Sequence, residues 1–417
     1  MKILVISSNG FSKILNNGKT LEAMFSLFDK SNLCQIITRP QTLIDFDFCN
    51  SFYYITEPQV LKSIFNNKPV GGILQPKQSI KSAVSLNSLI KFNKKLPLLT
   101  RDLVSNIKTW QNPILHKWLK NEKPDLIFLV GGSKFLHSLA LYIKEYLNIP
   151  LVTFFTDDYI IYPRYSGLFG KLHYRLLLKS YKDIMDLSSL NFVIGTLMSK
   201  EYDKFFNKKF FSIMNSLPLE EYILPKIDNK RIIISYFGGL HLNRWKMIAR
   251  LGTLLPKNCL LNVYSASVLT DEIGLAFENS GIVFRGCVTG KDLRTAMLES
   301  DALLHVESDD EKNRLLTRLS VSTKIPEYLM AGRCIIGFGP SEVASMLELS
   351  ANNVGFVIDS SSDNDAIITA LKSLFSNHNN LIKYGKKAYD FAVLKYDRVK
   401  NAGIFYKKLE SVISNKL

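Results

Sequence analysis

Residues 231–245 read Arg231-Ile232-Ile233-Ile234-Ser235-Tyr236-Phe237-Gly238-Gly239-Leu240-His241-Leu242-Asn243-Arg244-Trp245. A short isoleucine-rich run stops at two glycines, and a helix opens near Asn243. An apolar run of this length, without polar alternation and bounded by glycine, is the pattern of a strand buried on both faces of a parallel sheet. The chain has used the same pattern before. Residues 2–7 form a first such strand, and further candidates follow at 33–38, 52–55, 71–74, 126–130, 151–155, 192–194 and 210–214. Helical stretches such as 133–147 separate several of them. Residues 215–228 are polar and contain proline. The series then restarts at 231 and continues at 260–264, 282–285, 302–306, 333–338 and 355–358, with helices at 290–299 and 322–331. Strands alternating with helices predict βαβ units. The restart predicts two Rossmann-like doubly wound α/β domains facing a cleft. The expected bounds are 1–215, a linker at 216–228, a second domain at 229–390, and a C-terminal helix at 391–417 that crosses back to the first domain.

The composition supports this division. The 417 residues are 47% apolar and 22% charged, enough for two cores and too hydrophobic for wholesale disorder. Five cysteines (Cys34, Cys49, Cys259, Cys287, Cys334) are scattered, with no Cys-x-x-Cys and no metal-ligand spacing. This suits a reducing compartment and speaks against a zinc site or a disulfide framework. The N-terminal apolar run is too short for a signal-peptide core, and no run approaches the ~18 residues that span a bilayer. A cytoplasmic protein is expected, with a peripheral position on the inner face of the membrane left open. The net charge is +16, and it is unevenly placed. Through residue 210 there are 28 Lys and Arg against 15 Asp and Glu; beyond it, 25 against 22. A basic first half attracts polyanions. No helix-turn-helix, zinc finger or RNA-binding motif accompanies it, so nucleic acid is not expected as a partner.

In open parallel sheets ligands sit beyond the carboxyl ends of the strands, so loops there deserve inspection first. Ser322-Thr323-Lys324-Ile325-Pro326-Glu327 precedes Tyr328-Leu329-Met330-Ala331-Gly332 and a buried strand. Ser322 or Thr323 is a candidate N-cap, Pro326 falls in the first turn, and Gly332 ends the helix. Free N–H groups at such a start suit a diphosphate, and Lys324 adds a positive charge. Glu327 shares a helix face with Lys324 and can accept hydrogen bonds from ribose hydroxyls. In the segment at 231–245, Gly238 and Gly239 permit close backbone approach, and Arg244 can form bidentate contacts with phosphate. An ordinary capped helix and an ordinary strand–turn–helix account for the same local patterns. There is no Gly-x-Gly-x-x-Gly and no Walker sequence, which lowers the nicotinamide and NTPase readings.

In the first half, Thr153-Phe154-Phe155-Thr156-Asp157-Asp158-Tyr159 ends a buried strand. Either Asp157 or Asp158 could deprotonate or orient a hydroxyl at a cleft mouth; a polar turn with an Asx cap is the alternative. Asn9 and Gly10 form a candidate close-approach loop. His137 and His173 read as surface or helix-packing residues rather than bases. Asp45-Phe46-Asp47 mimics a metal-binding spacing. Lys171, Arg175, Lys179 and Lys182 recur at helical spacing, while Leu168, Phe169, Leu172, Leu176, Leu177 and Leu178 cover much of the remaining surface. Such a helix can rest on anionic lipid, or it can be a core helix with a solvated edge.

Three of these segments together resemble GT-B-fold glycosyltransferases, especially bacterial enzymes of family 4 type that build capsule, O-antigen or exopolysaccharide. Gly238-Gly239-Leu240 through Arg244-Trp245 is similar to the family's glycine loop and phosphate-binding basic residue. Phe284-Arg285-Gly286-Cys287-Val288 resembles the strand and loop that receive the nucleobase. Lys324-Ile325-Pro326-Glu327-Tyr328-Leu329-Met330-Ala331-Gly332 resembles the donor-binding helix, whose glutamate contacts the ribose. The resemblance implies a UDP- or GDP-type nucleotide sugar as donor, a glycan or lipid-linked saccharide as acceptor, a retaining transfer and no bound metal. It implies donor contacts from Gly238, Gly239, Arg244, Gly286, Cys287, Val288, Ser322, Thr323, Lys324 and Glu327. One departure stands out. Many family members carry a second glutamate eight residues before this one, where this chain has Leu319. Glu307, Asp309 and Asp310 are candidate replacements. The departure keeps retention open. It also keeps open a nucleotide-sugar 2-epimerase of the same fold and a non-catalytic subunit supporting a partner transferase.

Overall fold

The computed structural model describes the chain apart from residues 13–15, 40–43, 66–68, 75–97, 164, 226–230 and 415–417. Residues 226–228 of the expected linker therefore lie outside the described residues. The chain forms two compact units, Met1–Asn215 with Arg398–Leu417, and Ser216–Asp397.

The first unit carries eight strands: β1 (Ile3–Ser7), β2 (Leu33–Ile37), β3 (Ser51–Tyr54), β4 (Gly72–Leu74), β5 (Leu126–Val130), β6 (Leu151–Phe155), β7 (Leu190–Val193) and β8 (Phe210–Ser212). They lie in the order β4-β3-β2-β1-β5-β6-β7-β8. Every residue of β1, β2, β5 and β6 is buried. Helices cover both faces of such a sheet, which is why these strands read as unbroken apolar runs. The sheet is parallel except at one edge, where β4 pairs antiparallel with β3.

The C-terminal region is two helices, His378–Lys395 and Arg398–Ser414. The second belongs to the first unit's core. Phe405 is fully buried, with ring centroids 5.1 Å from Phe25, 5.4 Å from Phe128 and 5.4 Å from Phe192. The pairs with Phe25 and Phe128 are edge-to-face, a geometry that adds about 0.5–1.5 kcal/mol each beyond the buried area.

The second unit has six strands, all parallel: β9 (Ile232–Phe237), β10 (Cys259–Tyr264), β11 (Ile282–Gly286), β12 (Ala302–Val306), β13 (Cys334–Gly339) and β14 (Phe356–Asp359). Their order is β11-β10-β9-β12-β13-β14. The order reverses between β9 and β12, and this topological switch opens a crevice at the carboxyl ends of those two strands.

The polar, proline-containing stretch before β9 packs on this unit. Leu217 N–H donates to the Tyr396 carbonyl at 2.9 Å, Glu220 pairs with Arg294 at 2.6 Å, and Tyr222 packs on Tyr389. Arg333, only 2% exposed, anchors the same stretch. Its guanidinium donates to the carbonyls of Ile223 (2.7 Å), Leu298 (2.8 Å) and Ala331 (3.3 Å). Leu298 and Ala331 are the last residues of two helices, Gly290–Leu298 and Ile325–Ala331. Helix C-termini present unpaired carbonyls and partial negative charge, so a cation there satisfies both.

Candidate functional site

The loop after β9 begins at Gly238, which lies so close to Lys324 that a side chain there would displace the ammonium. A Cβ at Gly238 would lie 1.6 Å from Lys324 Nζ, and one at Gly239 would lie 2.4 Å from His241 Nδ1. The loop then turns through Leu242 (φ 60°) and Asn243 (φ 58°), two consecutive left-handed residues, into the helix Arg244–Leu254. Few residues with side chains adopt that conformation. The turn delivers Arg244 to the crevice between β9 and β12.

Lys324 arrives from the other side. The expected cap is displaced: the helix spans Ile325–Ala331, with Lys324 itself at the N-cap position and no side-chain capping bond. Ser322 and Thr323 lie before it, in the preceding turn. Ser322 N–H donates to Ser345 Oγ at 3.0 Å, which ties this turn to the helix Ala344–Ala351. Tyr328 fixes the short helix against β9. Its phenol oxygen accepts the Phe237 N–H at 2.9 Å, and its hydroxyl donates to the Phe237 carbonyl at 3.2 Å. The Lys324 ammonium consequently lies beside Gly238 and over the Tyr236 ring, 5.3 Å from its centroid. Among the described residues it makes no ion pair within 4 Å.

Two cations thus converge on one crevice with one buried carboxylate between them. Glu307, at the end of β12, accepts from Arg244 Nη2 at 3.2 Å and from His305 Nε2 at 3.1 Å. Burial alone would raise its pKa. The Arg244 charge and the His305 hydrogen bond outweigh that and hold it at about 2. An ionised carboxylate only accepts, so His305 carries its proton on Nε2. Burial lowers the His305 pKa and keeps the ring neutral. Lys324 is pushed down to about 8, first by burial and then by the Arg244 charge, against the pull of Glu307 and Glu327. His241 is likewise lowered by burial, Arg244 and Lys324. Burial is the larger cause of both shifts, and the neighbouring cations add to it. An anion placed in the crevice offsets the cations' share.

The other expected residues fall as follows. Glu327 is half-buried in the first turn after Lys324. Gly286, Cys287 and Val288 lie at the end of edge strand β11, separated from the cluster by β10. Gly286 is left-handed (φ 75°) and its carbonyl accepts the Ser265 N–H at 2.7 Å. Leu319 is buried, 1% exposed. None of the three carboxylates weighed as replacements stands free in the crevice. Glu307 is taken by Arg244 and His305. Asp310 caps the helix Glu311–Thr317 and accepts from Asn243 Nδ2 at 3.1 Å. Asp309 is exposed, 4.0 Å from Arg250.

In the first unit, Asp158 is a structural cap. It is fully buried, and its carboxylate accepts the N–H groups of Ile160, Ile161 and Tyr162 at 2.9–3.0 Å and the Tyr202 hydroxyl at 3.0 Å. With four donors on it and no exposure, Asp158 is held as a turn cap. Asp157 is half-buried, accepting from Thr156 Oγ1 at 3.1 Å. Asn9 is half-buried and Gly10 buried after β1, where Gln35 braces the turn through the Asn9 carbonyl at 3.2 Å and the Phe11 N–H at 3.1 Å. His137 pairs with Ser180 at 2.9 Å, with burial pushing it down to about 3. His173 pairs with Asp102 at 2.5 Å, so both histidines are packing residues. Asp45 accepts from the Asp47 N–H at 2.9 Å in a local turn. Among the described residues no group of three or more His, Cys, Asp or Glu side chains is arranged to hold a metal. Lys171, Arg175, Lys179 and Lys182 are all exposed on the helix Gly167–Leu187.

His305, Tyr236 and Tyr328 also shape the site, beyond the residues expected from the sequence. The signal for His305 was present: a histidine and a glutamate two apart, at the end of an otherwise apolar strand.

Two doubly wound units, the second with two cations at its switch point, define a class of fold, the Rossmann-like α/β proteins. Solved structures narrow the fold to that of GT-B glycosyltransferases. The Anabaena Alr3699/HepE structure in complex with UDP-glucose aligns over 99% of this chain and 100% of its own, at 12% identity and TM-score 0.62. WaaG, a glycosyltransferase involved in lipopolysaccharide biosynthesis, aligns over 97% and 99%, at 12% identity and TM-score 0.61. Sucrose-phosphate synthase from Thermosynechococcus elongatus aligns over 99% and 100%, at 10% identity and TM-score 0.66. No family model and no curated protein sequence matches the chain.

Proposed function

We propose that the chain is a glycosyltransferase that moves a sugar from a nucleoside-diphosphate sugar to a hydroxyl of a glycan in surface-polysaccharide synthesis. The observation that carries this is the convergence of Lys324 and Arg244 on the switch point of the second unit. As the bond from the anomeric carbon to the diphosphate breaks, negative charge grows on the leaving oxygens. Two fixed cations in a half-buried crevice stabilise that charge without a metal. Glu327 holds the ribose, and residues 286–288 receive the base. HepE with UDP-glucose supports a UDP-type donor, and WaaG supports the polysaccharide setting. We assign the acceptor to the first unit, with Asp157 as its polar contact and Asn9-Gly10 as a close-approach loop. A lipid-linked acceptor fits the exposed basic and apolar residues of the helix Gly167–Leu187. Retention is the family 4 outcome and is part of the proposal.

The buried Leu319 and the capped Asp158 favour one second reading, a donor-binding subunit that lacks its own transfer chemistry. Turnover separates the two. Purified protein with UDP-glucose or other UDP- and GDP-sugars and an extract of lipid-linked saccharides should release nucleoside diphosphate and extend the saccharide. Nucleotide binding without release under any donor–acceptor pair would favour the subunit. An epimerised donor formed without acceptor would replace the transferase reading.

A further inference from the structure

Glu307 has the burial and the contacts of a residue that acts through another. Its side chain is 2% exposed, and the His305 ring behind it is 4% exposed. One oxygen faces Arg244 Nη2 and the other faces His305 Nε2. Its backbone is clamped as well. The Glu307 N–H donates to the Phe338 carbonyl at 3.1 Å, and a Cβ at Gly339 would lie 2.9 Å from the Glu307 carbonyl oxygen. A second carboxylate of the same loop reaches the neighbouring residue: Asp310 accepts from Asn243 Nδ2 at 3.1 Å. Two acids from the end of β12 therefore hold two consecutive residues, 243 and 244, across the switch point. The turn they hold passes through two left-handed non-glycine residues, a conformation that persists only where surroundings over-determine it.

A carboxylate beside an anion site works against anion binding by charge alone. Its place there calls for a geometric role. We propose that Glu307, backed by His305, is the positioning residue that aims the Arg244 guanidinium at the donor diphosphate, while Lys324 supplies the unbalanced positive charge. This rests on the donor-site reading given above. Glu307 does not act on the sugar, because both its oxygens are engaged away from solvent. It takes the place neither of an acid nor of a base.

The test is a double-mutant cycle with Glu307→Gln and Arg244→Ala, read by titration calorimetry with UDP and with GDP at pH 7. Glutamine keeps the size and removes the charge. Positioning predicts that Glu307→Gln weakens binding of the nucleotide that wild type binds, by roughly tenfold or more, although removing a negative charge would otherwise tighten it. In the Arg244→Ala background the same change should have little further effect. Tighter or unchanged binding by Glu307→Gln would overturn the proposal. So would an undiminished loss in the Arg244→Ala background, because Glu307 would then act independently of Arg244. If Glu307→Gln does not fold, Arg244→Lys carries the test. It keeps the charge and loses the planar fork, so roughly tenfold weaker binding is expected, and wild-type affinity would show that charge without orientation suffices. Wild-type protein that binds neither nucleotide would remove the donor-site reading, and this one with it.

Discussion

Lys324 is held where an ammonium is costly: against Gly238, over Tyr236, and close to the Arg244 charge. Burial and that charge lower its pKa to about 8, so the free protein loses this cation as pH rises through about 8. A bound diphosphate favours the charged form and pulls a proton in. Below pH 8 the lysine is already charged, and nucleotide affinity is insensitive to pH through this group. Above it, affinity for a nucleoside diphosphate should fall by about tenfold per pH unit, the slope of a single linked proton. Lys324→Arg stays charged throughout and should flatten the profile. Calorimetric titrations between pH 7 and 9.5 check both. A flat wild-type profile would mean that Lys324 does not face the ligand.

At the scale of elements, the strands were legible because burial on both faces leaves no alternation to misread. The runs at 2–7, 126–130 and 302–306 correspond to β1, β5 and β12 within a residue. The start of the donor-side helix was less legible. Ser322 looks like a cap, yet it sits in a turn tied to Ser345, a partner 23 residues away that no local pattern displays. The surroundings of Asp158 were only partly legible, since the Asx-capped turn was one of its two readings. Its caps on Ile160, Ile161 and Tyr162 are local, but the Tyr202 hydroxyl that completes its burial comes from 44 residues on. The pairing of Arg244 with Glu307 spans 63 residues and exists only through the strand order. The last helix is the element whose placement matters most for stability. Phe405→Ala would empty a site walled by Phe25, Phe128 and Phe192, at a cost of about 3–5 kcal/mol. A lowered unfolding transition of the first unit, followed by thermal melts, is the expected outcome; an unchanged melt would mean that the helix contributes little to that core.

At the scale of the molecule, the two halves differ in charge as they differ in proposed task. The excess of Lys and Arg lies in the first 210 residues. There the helix Gly167–Leu187 exposes Leu168 (80%) and Phe169 (71%) next to Lys171 and Arg175. Apolar side chains beside a basic stripe suit an anionic lipid surface, with about 1 kcal/mol for each basic residue near it. Among the described residues no helix is long and apolar enough to cross a membrane. Reversing Lys171, Arg175 and Lys179 to Glu should lower co-sedimentation with vesicles containing anionic lipid by more than roughly tenfold, while neutral vesicles show no difference. Equal sedimentation of wild type and variant would mean that this helix does not bind anionic lipid. The central claim lies in the other half: the second unit is a donor site built on Lys324. Calorimetry of wild type and Lys324→Ala with UDP and GDP tests it most directly. Wild type is expected to bind at least one of the two, and the folded variant to bind it roughly tenfold or more weakly. Binding of neither nucleotide by wild type, or equal binding by both proteins, would contradict the claim.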